Sequence, residues 1–560
     1  MLRFGPVLAI ALLTGPIFCG LIAVVLPAFG YLPAIGGHEF SLQPFADLFA
    51  RPGLLRSCLI SLGSGLITTA ISLSVVALFI AGWSGTRTFT RLQHVISPLL
   101  SVPHAAAAFG LAFLIAPSGW LVRLVSPELT GITRPPDVLI PNDPYGLSLT
   151  LGLVVKEIPF LMLVALAALP QVQPRRSTYV ASSLGYGKTA GFLFAVWPRI
   201  YRQIRLAVYA VISYASSVVD VAIILGPERP SSLAVRLVGW MDDPDLALRF
   251  EASAGALLQL GVTLATLVIW FGLERLAGWI MRTQVIAGRR FSKDAPVRAL
   301  GLGLSSLAAF SVFAGLFILA LWSVAGFWAF PDALPQALAL KSWQRSLPSI
   351  GGPFQTTIVI GVVATLLAVA ITLICLERES RIGRDGGSRA LLLVYIPLIV
   401  PQASFLFGLQ FFFLTIGLDA SYVGLVLVHL IFVLPYVFLS LSDPWRAFDP
   451  RYANLARSLG SSENRIFWRI RLPILLRAIL AAAAVGFAVS IGQYLPTILI
   501  GAGRLPTITT EAVALASGGD RRVIGVYAFV QMVLPFLGFL IAVIVPAILF
   551  RNRRNLWASS

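Results

Sequence analysis

The sequence predicts an all-α, polytopic membrane protein of about 12 transmembrane helices in two parallel six-helix repeats. Three observations carry that reading. The 560 residues are 58% hydrophobic and only 12% charged, far more apolar mass than one soluble core buries. The apolar residues are gathered into charge-free runs, among them 58–81, 356–376 and 523–550, each long enough to cross roughly 30 Å of hydrocarbon as a helix. The second half of the chain also repeats short motifs of the first in the same order. Composition and runs together exclude a soluble globular enzyme.

Taken in order, the runs place helices near residues 5–28, 57–82, 97–116, 147–169, 204–226 and 253–273, then 300–328, 354–376, 390–416, 421–442, 478–500 and 523–550. The first has a single flanking charge, Arg3, and is longer than the roughly 7 to 15 residues of a secretory signal core, so it reads as an uncleaved span. With the amino terminus inside, 29 of the 42 Lys and Arg fall in inner loops and tails and 12 in outer loops, and Lys156 alone lies in a span. That bias predicts that both termini are cytoplasmic. It also accounts for the net charge of +18 through membrane lipid, and no nucleic-acid partner is called for. Cys19, Cys58 and Cys375 all fall in spans, without disulfide, metal or redox spacing. His38, His94, His104 and His429 show no helical pairing that would make a metal cage.

The duplication sets the organisation. Val102-Pro103 followed by Phe109-Gly110-Leu111 matches Val400-Pro401 followed by Phe407-Gly408-Leu409, and Ser183-Leu184-Gly185 matches Ser458-Leu459-Gly460. An even number of spans per half makes the repeats parallel. Residues 1–282 form the first half, 283–298 a polar cytoplasmic linker and 299–560 the second half. The first half carries extra residues in one outer loop, 117–146, where six prolines favour irregular structure and a docking surface.

The long inner loop between the fourth and fifth spans of each half carries the most specific pattern. It reads Y-V-A-S-S-L-G over 179–185 and then reaches Pro198; in the second half it reads N-L-A-R-S-L-G over 454–460 and then reaches Ile470, Leu472 and Pro473. A short amphipathic helix should stop at each glycine, and each proline suits the first turn of the next helix. These residues resemble the E-A-A, three residues, G, nine residues, I-x-L-P loop of permease subunits of binding-protein-dependent (type I) ABC importers. Ala456, Gly460, Ile470, Leu472 and Pro473 fall on motif positions in the second copy, and Ala181, Gly185 and Pro198 in the first. The family's glutamate position holds Tyr179 and Asn454, so neither loop offers the usual carboxylate.

The resemblance implies the type I permease fold, in a double-length form similar to ferric iron or thiamine permeases. It implies that 176–188 and 451–463 are coupling helices docking a cytoplasmic ABC ATPase homodimer. ATP-Mg would then sit on that partner, with no cofactor in this chain, which would not itself be an enzyme. A periplasmic solute-binding protein and a bacterial inner membrane are implied too, with iron(III) or thiamine as the suggested cargo. Gly187-Lys188-Thr189 imitates the end of a phosphate loop but lacks the first glycine.

Inside the spans, Glu157 and Asp220 are candidates for a pathway that attracts a cation, against a structural ion pair of Lys156 with Asp220. Gln493 and Tyr494 stand at the related place in the second half and are further pathway candidates. Asp242, Asp243 and Asp245 form an acidic outer loop. The alternative class is an ion-coupled secondary transporter of twelve spans. Its turn between spans two and three would carry an aspartate, and here that turn reads A-G-W-S-G-T-R-T-F-T-R over 81–91.

Overall fold

Away from water, a chain this apolar can satisfy its backbone only by intrahelical hydrogen bonding. The computed structural model describes residues 4–383 and 386–551. Arg3, the flank of the first span, and residues 552–560 lie outside the described residues. Among those residues the only strand-like pairings are two isolated bridges, Leu32 with Gly37 and Ala325 with Leu338.

The first half comprises α1 (Gly5–Ala28), α2 (Gln43–Ala50), α3 (Leu54–Trp83), α4 (Arg87–Ile96), α5 (His104–Ile115), α6 (Trp120–Val125), α7 (Leu147–Ala168), α8 (Pro174–Ser183), α9 (Lys188–Ala195), α10 (Trp197–Ser217), α11 (Asp220–Leu225), α12 (Leu233–Met241) and α13 (Leu248–Ile286). The second comprises α14 (Ala295–Ser323), α15 (Lys341–Ile382), α16 (Gly387–Ile399), α17 (Gln402–Thr415), α18 (Tyr422–Arg446), α19 (Pro450–Ser458), α20 (Glu463–Ile466), α21 (Leu472–Ile491), α22 (Leu495–Gly501), α23 (Ile508–Ala514) and α24 (Arg521–Leu549). Among the described residues, ten helical stretches are long and apolar enough to cross a membrane, and α16 with α17 makes an eleventh, bent by 84°. The remaining expected span is α10 with α11, made more polar by Arg199, Arg202 and Arg205 at the inner end of α10.

Four of the expected straight spans are broken, in two symmetric pairs. The third span of each half breaks at the repeated Val-Pro. Val102 and Val400 are extended (ψ 123° and 125°), because the ring of a following proline disfavours the helical region for the residue before it. The fifth spans break after Ser217 and Ile491, and Asp220 and Leu495 each open the short helix that follows.

Such breaks leave carbonyls without helical donors, and buried side chains take their place. In the first half Gln259 Nε2 donates to the Ser216 carbonyl (3.2 Å), and Ser61 Oγ accepts from the Leu233 amide (3.1 Å). In the second half Gln531 Nε2 donates to Thr509 Oγ1 (2.8 Å), which in turn donates to the Ile491 carbonyl, and Thr357 Oγ1 accepts from the Ile508 amide (3.0 Å). His429 adds a staple there, with Nδ1 at 2.8 Å from Ser490 Oγ and Nε2 at 2.9 Å from Thr497 Oγ1.

Each half lends its first helix to the other. α1 lies along α17, with α15 and α16 beside it, and α14 lies along α5 and α3. Both crossings are made by paired glycines. A Cβ on Gly110 would meet the Gly315 backbone at 2.7 Å, and Gly408 sits likewise on the backbone of Gly20. Small residues permit such close backbone approach, the main source of packing between helices where lipid is as apolar as leucine.

Candidate functional site

The two inner loops fold as the same device. α8 ends at Gly185 (φ +85°) and α19 at Gly460 (φ +78°), left-handed positions that favour glycine. The amide of Tyr186 then reaches back to the Ala181 carbonyl (3.2 Å), and that of Ser461 to the Ala456 carbonyl (3.0 Å). Ala181 and Ala456 are buried, the first beneath Gly191 and the second in a cluster with Ala453 and Ile466 against which Ile470 packs. Pro198 and Pro473 sit in the first turns of α10 and α21, and Leu472 opens α21. The motif spacing therefore has a packing reason at most of its positions. The observed helices begin slightly earlier and end sooner, at Ser183 and Ser458, than the 176–188 and 451–463 read from sequence, because each stops ahead of its glycine.

The loops are braced differently. The first is tied to the segment joining the halves: the Gly187 amide donates to the Arg290 carbonyl (3.3 Å), the Thr189 amide to Asp294 Oδ2 (2.7 Å), and Arg290 Nη1 to the Tyr186 hydroxyl (2.7 Å). Amides that a phosphate loop would aim at a ligand are thus already occupied. Burial and the nearby Arg298 hold the Lys188 ammonium below its usual pKa, with Asp294 opposing. The second loop is braced by ion pairs. Asp449 caps α19, and Arg457 hydrogen-bonds Glu463 (2.5 Å), which holds that carboxyl below its usual pKa. Arg471, stacked on Trp445 and Phe448, pairs with the buried Glu377, which also receives Arg381 (2.7 Å). A five-residue π-turn, Phe467–Arg471, presents Arg471 inward just before Pro473.

Among exposed arginines and serines, each loop also exposes large apolar side chains. Tyr179, Val180 and Leu184 protrude from α8, and Tyr452, Leu455 and Leu459 from α19, Leu459 being 78% exposed. At the glutamate positions, Tyr179 is free-standing, and Asn454 Oδ1 accepts from Arg457 (2.7 Å).

A second group gathers between the halves. Glu157 on α7 is 3% exposed and lies 3.3 Å from His104 Nε2, at the start of α5. The His104 ring packs on Tyr214 of α10 (4.7 Å between centroids). Asp220 lies within electrostatic range of His104, and Tyr494 at the break of the second half within range of Asp220. The sequence-level pair of Lys156 with Asp220 does not form. Lys156 Nζ instead donates to the carbonyls of Leu99 (2.8 Å) and Leu100 (3.4 Å), acceptors left near the Val102-Pro103 break. In the second half the Ile399 carbonyl beside the equivalent break accepts from Ser213 of the first half (2.5 Å). Gln493 is partly buried, and its carbonyl accepts from Thr497 (2.7 Å). His104, Tyr214, Gln259 and Gln531 escaped the sequence reading. The available signal was position: His104 follows the repeated Val-Pro, and each glutamine is a lone amide in an apolar run. Among the described residues no group of three or more metal-ligating side chains occurs.

Comparison with known proteins agrees with this geometry. Residues 380–554 match the family described as the inner membrane component of binding-protein-dependent transport systems. The chain is 31% identical over 506 residues to the inner membrane ABC transporter permease protein YnjC of Escherichia coli, covering 90% of this chain and 91% of that protein. It is 26% identical over 445 residues to the thiamine transport system permease protein ThiP of Escherichia coli, covering 75% and 76%. A shorter match, 30% identical over 130 residues, joins 23% of this chain to 49% of the spermidine/putrescine permease PotC of Haemophilus influenzae. With two loops of one design, two symmetric sets of broken spans and similarity along nearly the whole length, this chain belongs to the transmembrane permeases of type I ABC importers, in the form that fuses both halves in one polypeptide.

Proposed function

We propose that this permease works in a bacterial inner membrane with both termini cytoplasmic, between a periplasmic solute-binding protein and a cytoplasmic ATPase homodimer that binds ATP-Mg. The reading rests on one observation above others: two glycine-stopped helices at equivalent places each offer an apolar tip, Tyr179 with Leu184 and Leu455 with Leu459. Exposed apolar surface of this kind, set among arginines, suits two copies of one partner groove. Closing the ATPase pair on ATP would bring the coupling helices together and turn the lobes outward; hydrolysis would return them. The chain itself performs no hydrolysis in this scheme.

For the cargo we favour thiamine over iron(III). Similarity to a thiamine permease along three quarters of the chain supports it. Glu157, Asp220, Tyr494 and Gln493 are the pathway residues of this reading.

The test is to solubilise the tagged chain from its native membrane at low salt and weigh what accompanies it. Two copies of a P-loop ATPase per chain, released at high salt, are expected. A lone chain that accumulates solute in proteoliposomes under an ion gradient alone would overturn the proposal.

A further inference from the structure

The two inner loops share a backbone design, yet the side chains that brace them differ. In the second half a network of charges joins the loop to the inner end of α15. Arg457 of α19 closes on Glu463 (2.5 Å), Arg381 Nη2 donates to Asn464 Oδ1 (3.0 Å), and Arg381 and Arg471 share the carboxylate of Glu377. The duplication fixes what stands at each equivalent place in the first half. Ser183-Leu184-Gly185 against Ser458-Leu459-Gly460 aligns the loops, and Ala70-Ile71-Ser72 against Ala370-Ile371-Thr372 aligns the second spans. Arg457, Glu463, Asn464 and Arg471 then correspond to Ser182, Lys188, Thr189 and Val196, and Glu377 and Arg381 to Ala77 and Ala81. No carboxylate or guanidinium of the network has a counterpart, and Lys188 reverses the sign of Glu463.

The segment that joins the halves stands in that place. Its Arg290 carbonyl and Asp294 carboxylate accept from the Gly187 and Thr189 amides (3.3 and 2.7 Å) at the start of α9. The Arg290 guanidinium lies on the Tyr186 ring (4.7 Å to the centroid) and donates to its hydroxyl, and Phe291 meets Phe194 (6.2 Å between centroids). A Cβ on Gly187 would sit 2.5 Å from the Phe291 carbonyl, so the segment lies flat against the loop. Arg298, one helical turn beyond Asp294, reaches the inner end of α3. Its carbonyl accepts from Trp83 Nε1 (2.9 Å), its guanidinium covers that ring (5.2 Å), and its side chain lies 2.9 Å from where a Cβ on Gly82 would be. Gly82 follows Ala81, the counterpart of Arg381. Residues 290–298 thus join the first loop to the second span of its half, as the charge network joins the other loop to α15.

Resting on the permease reading, we propose that residues 290–298 are a working part of the coupling apparatus, with Arg290 and Asp294 as positioning residues that hold the turn after α8 and so present that helix to the ATPase. A helix of ten residues on a surface is marginal by itself, and a partner that binds one arrangement loses affinity in proportion to the fraction of time that arrangement is absent. The second loop is held by α15 of its own half. The first is held from the amino-terminal turn of α14, because Asp294 also opens that helix. Motion of the ATPase at α8 therefore reaches the first span of the other half directly through the joining segment, whereas motion at α19 enters its own half first.

The test needs no knowledge of the cargo. In the full chain with Cys19, Cys58 and Cys375 replaced by serine, a nitroxide is placed on Leu184→Cys, just past α8, or on Leu459→Cys, just past α19, both exposed positions. Arg290→Ala with Asp294→Ala should mobilise the label beside α8 and leave the label beside α19 unchanged, and the same variant without label should bind the ATPase at least fivefold more weakly. Adding Ser182→Arg with Lys188→Glu, which copies the Arg457–Glu463 pair into the first loop, should restore both readings, a rescue that a general loss of fold would not allow. Arg290→Ala alone should shift both the same way by less, so the result does not depend on the double variant folding. An unmoved label beside α8, an unchanged ATPase affinity, or failure of the transplanted pair to restore binding would overturn the proposal. A label that is mobilised and rescued in a chain to which no ATPase binds, with or without the substitutions, would keep the brace and discard the permease partnership, so the two failures are distinguishable.

Discussion

Gly110 and Gly315 pack backbone against backbone, the first on the third span of one half and the second on the first span of the other. Gly408 and Gly20 repeat the contact at the opposite crossing. The duplication is therefore written into the tertiary packing as well as the sequence.

Gly110→Ala should destabilise the fold by about 1 to 3 kcal/mol, since its Cβ meets fixed backbone and not a movable side-chain end. Gly303→Ala on α14, with nothing within 4 Å of its Cβ, is the neutral control. Thermal unfolding in detergent compares them; equal melting temperatures would contradict the crossing.

Arg471→Ala should cost roughly 1 to 3 kcal/mol, because it leaves the buried Glu377 with Arg381 as its one remaining guanidinium partner. Arg381→Ala should cost less, Arg381 being 25% exposed and leaving Arg471 in place. The order of the two melting temperatures is the readout.

Gly460→Pro should leave the chain inserted but separate ATP hydrolysis from uptake. A proline cannot adopt φ +78°, and it lacks the amide that bonds the Arg457 carbonyl at 2.9 Å. ATPase rate and solute uptake measured on the same reconstituted complex decide it, and unchanged uptake would remove α19 from the coupling path.

Leu455→Ser with Leu459→Ser should leave the stability of the isolated chain within about 0.5 kcal/mol of unchanged, as both side chains are exposed. The same pair should lower ATPase recovery on co-purification at least tenfold. Full recovery would mean that the partner reads other residues.

Much of this architecture is legible because its signals are local. Apolar runs mark the spans, and Gly460 with Pro473 brackets a helix stop and a helix start. The breaks are legible only in part. The repeated Val-Pro marked the third spans without revealing that they turn there, whereas nothing in the sequence around Ser217 and Val218 advertises a break that depends on Gln259 from another helix. The Lys156–Asp220 alternative fails for a related reason, since the partner of Lys156 is a pair of carbonyls that becomes available only once the backbone bends. The exchange of α1 and α14 is hidden because a helix apolar on every side does not say which neighbour it will choose. His104 was discounted as a lone histidine, and its importance comes from Glu157 and Tyr214, 53 and 110 positions further along the chain.

The exchanged first helices also set the order in which the protein can be made. α1 leaves the ribosome well before α17, against which Gly20 packs and which begins at Gln402. Until then α1 must wait in the bilayer without its main neighbour, and the Gly110 face of α5 stays open to lipid until α14 arrives. Neither half completes its packing alone, and a chain cut short between them would leave the glycine faces of α1 and α5 uncovered.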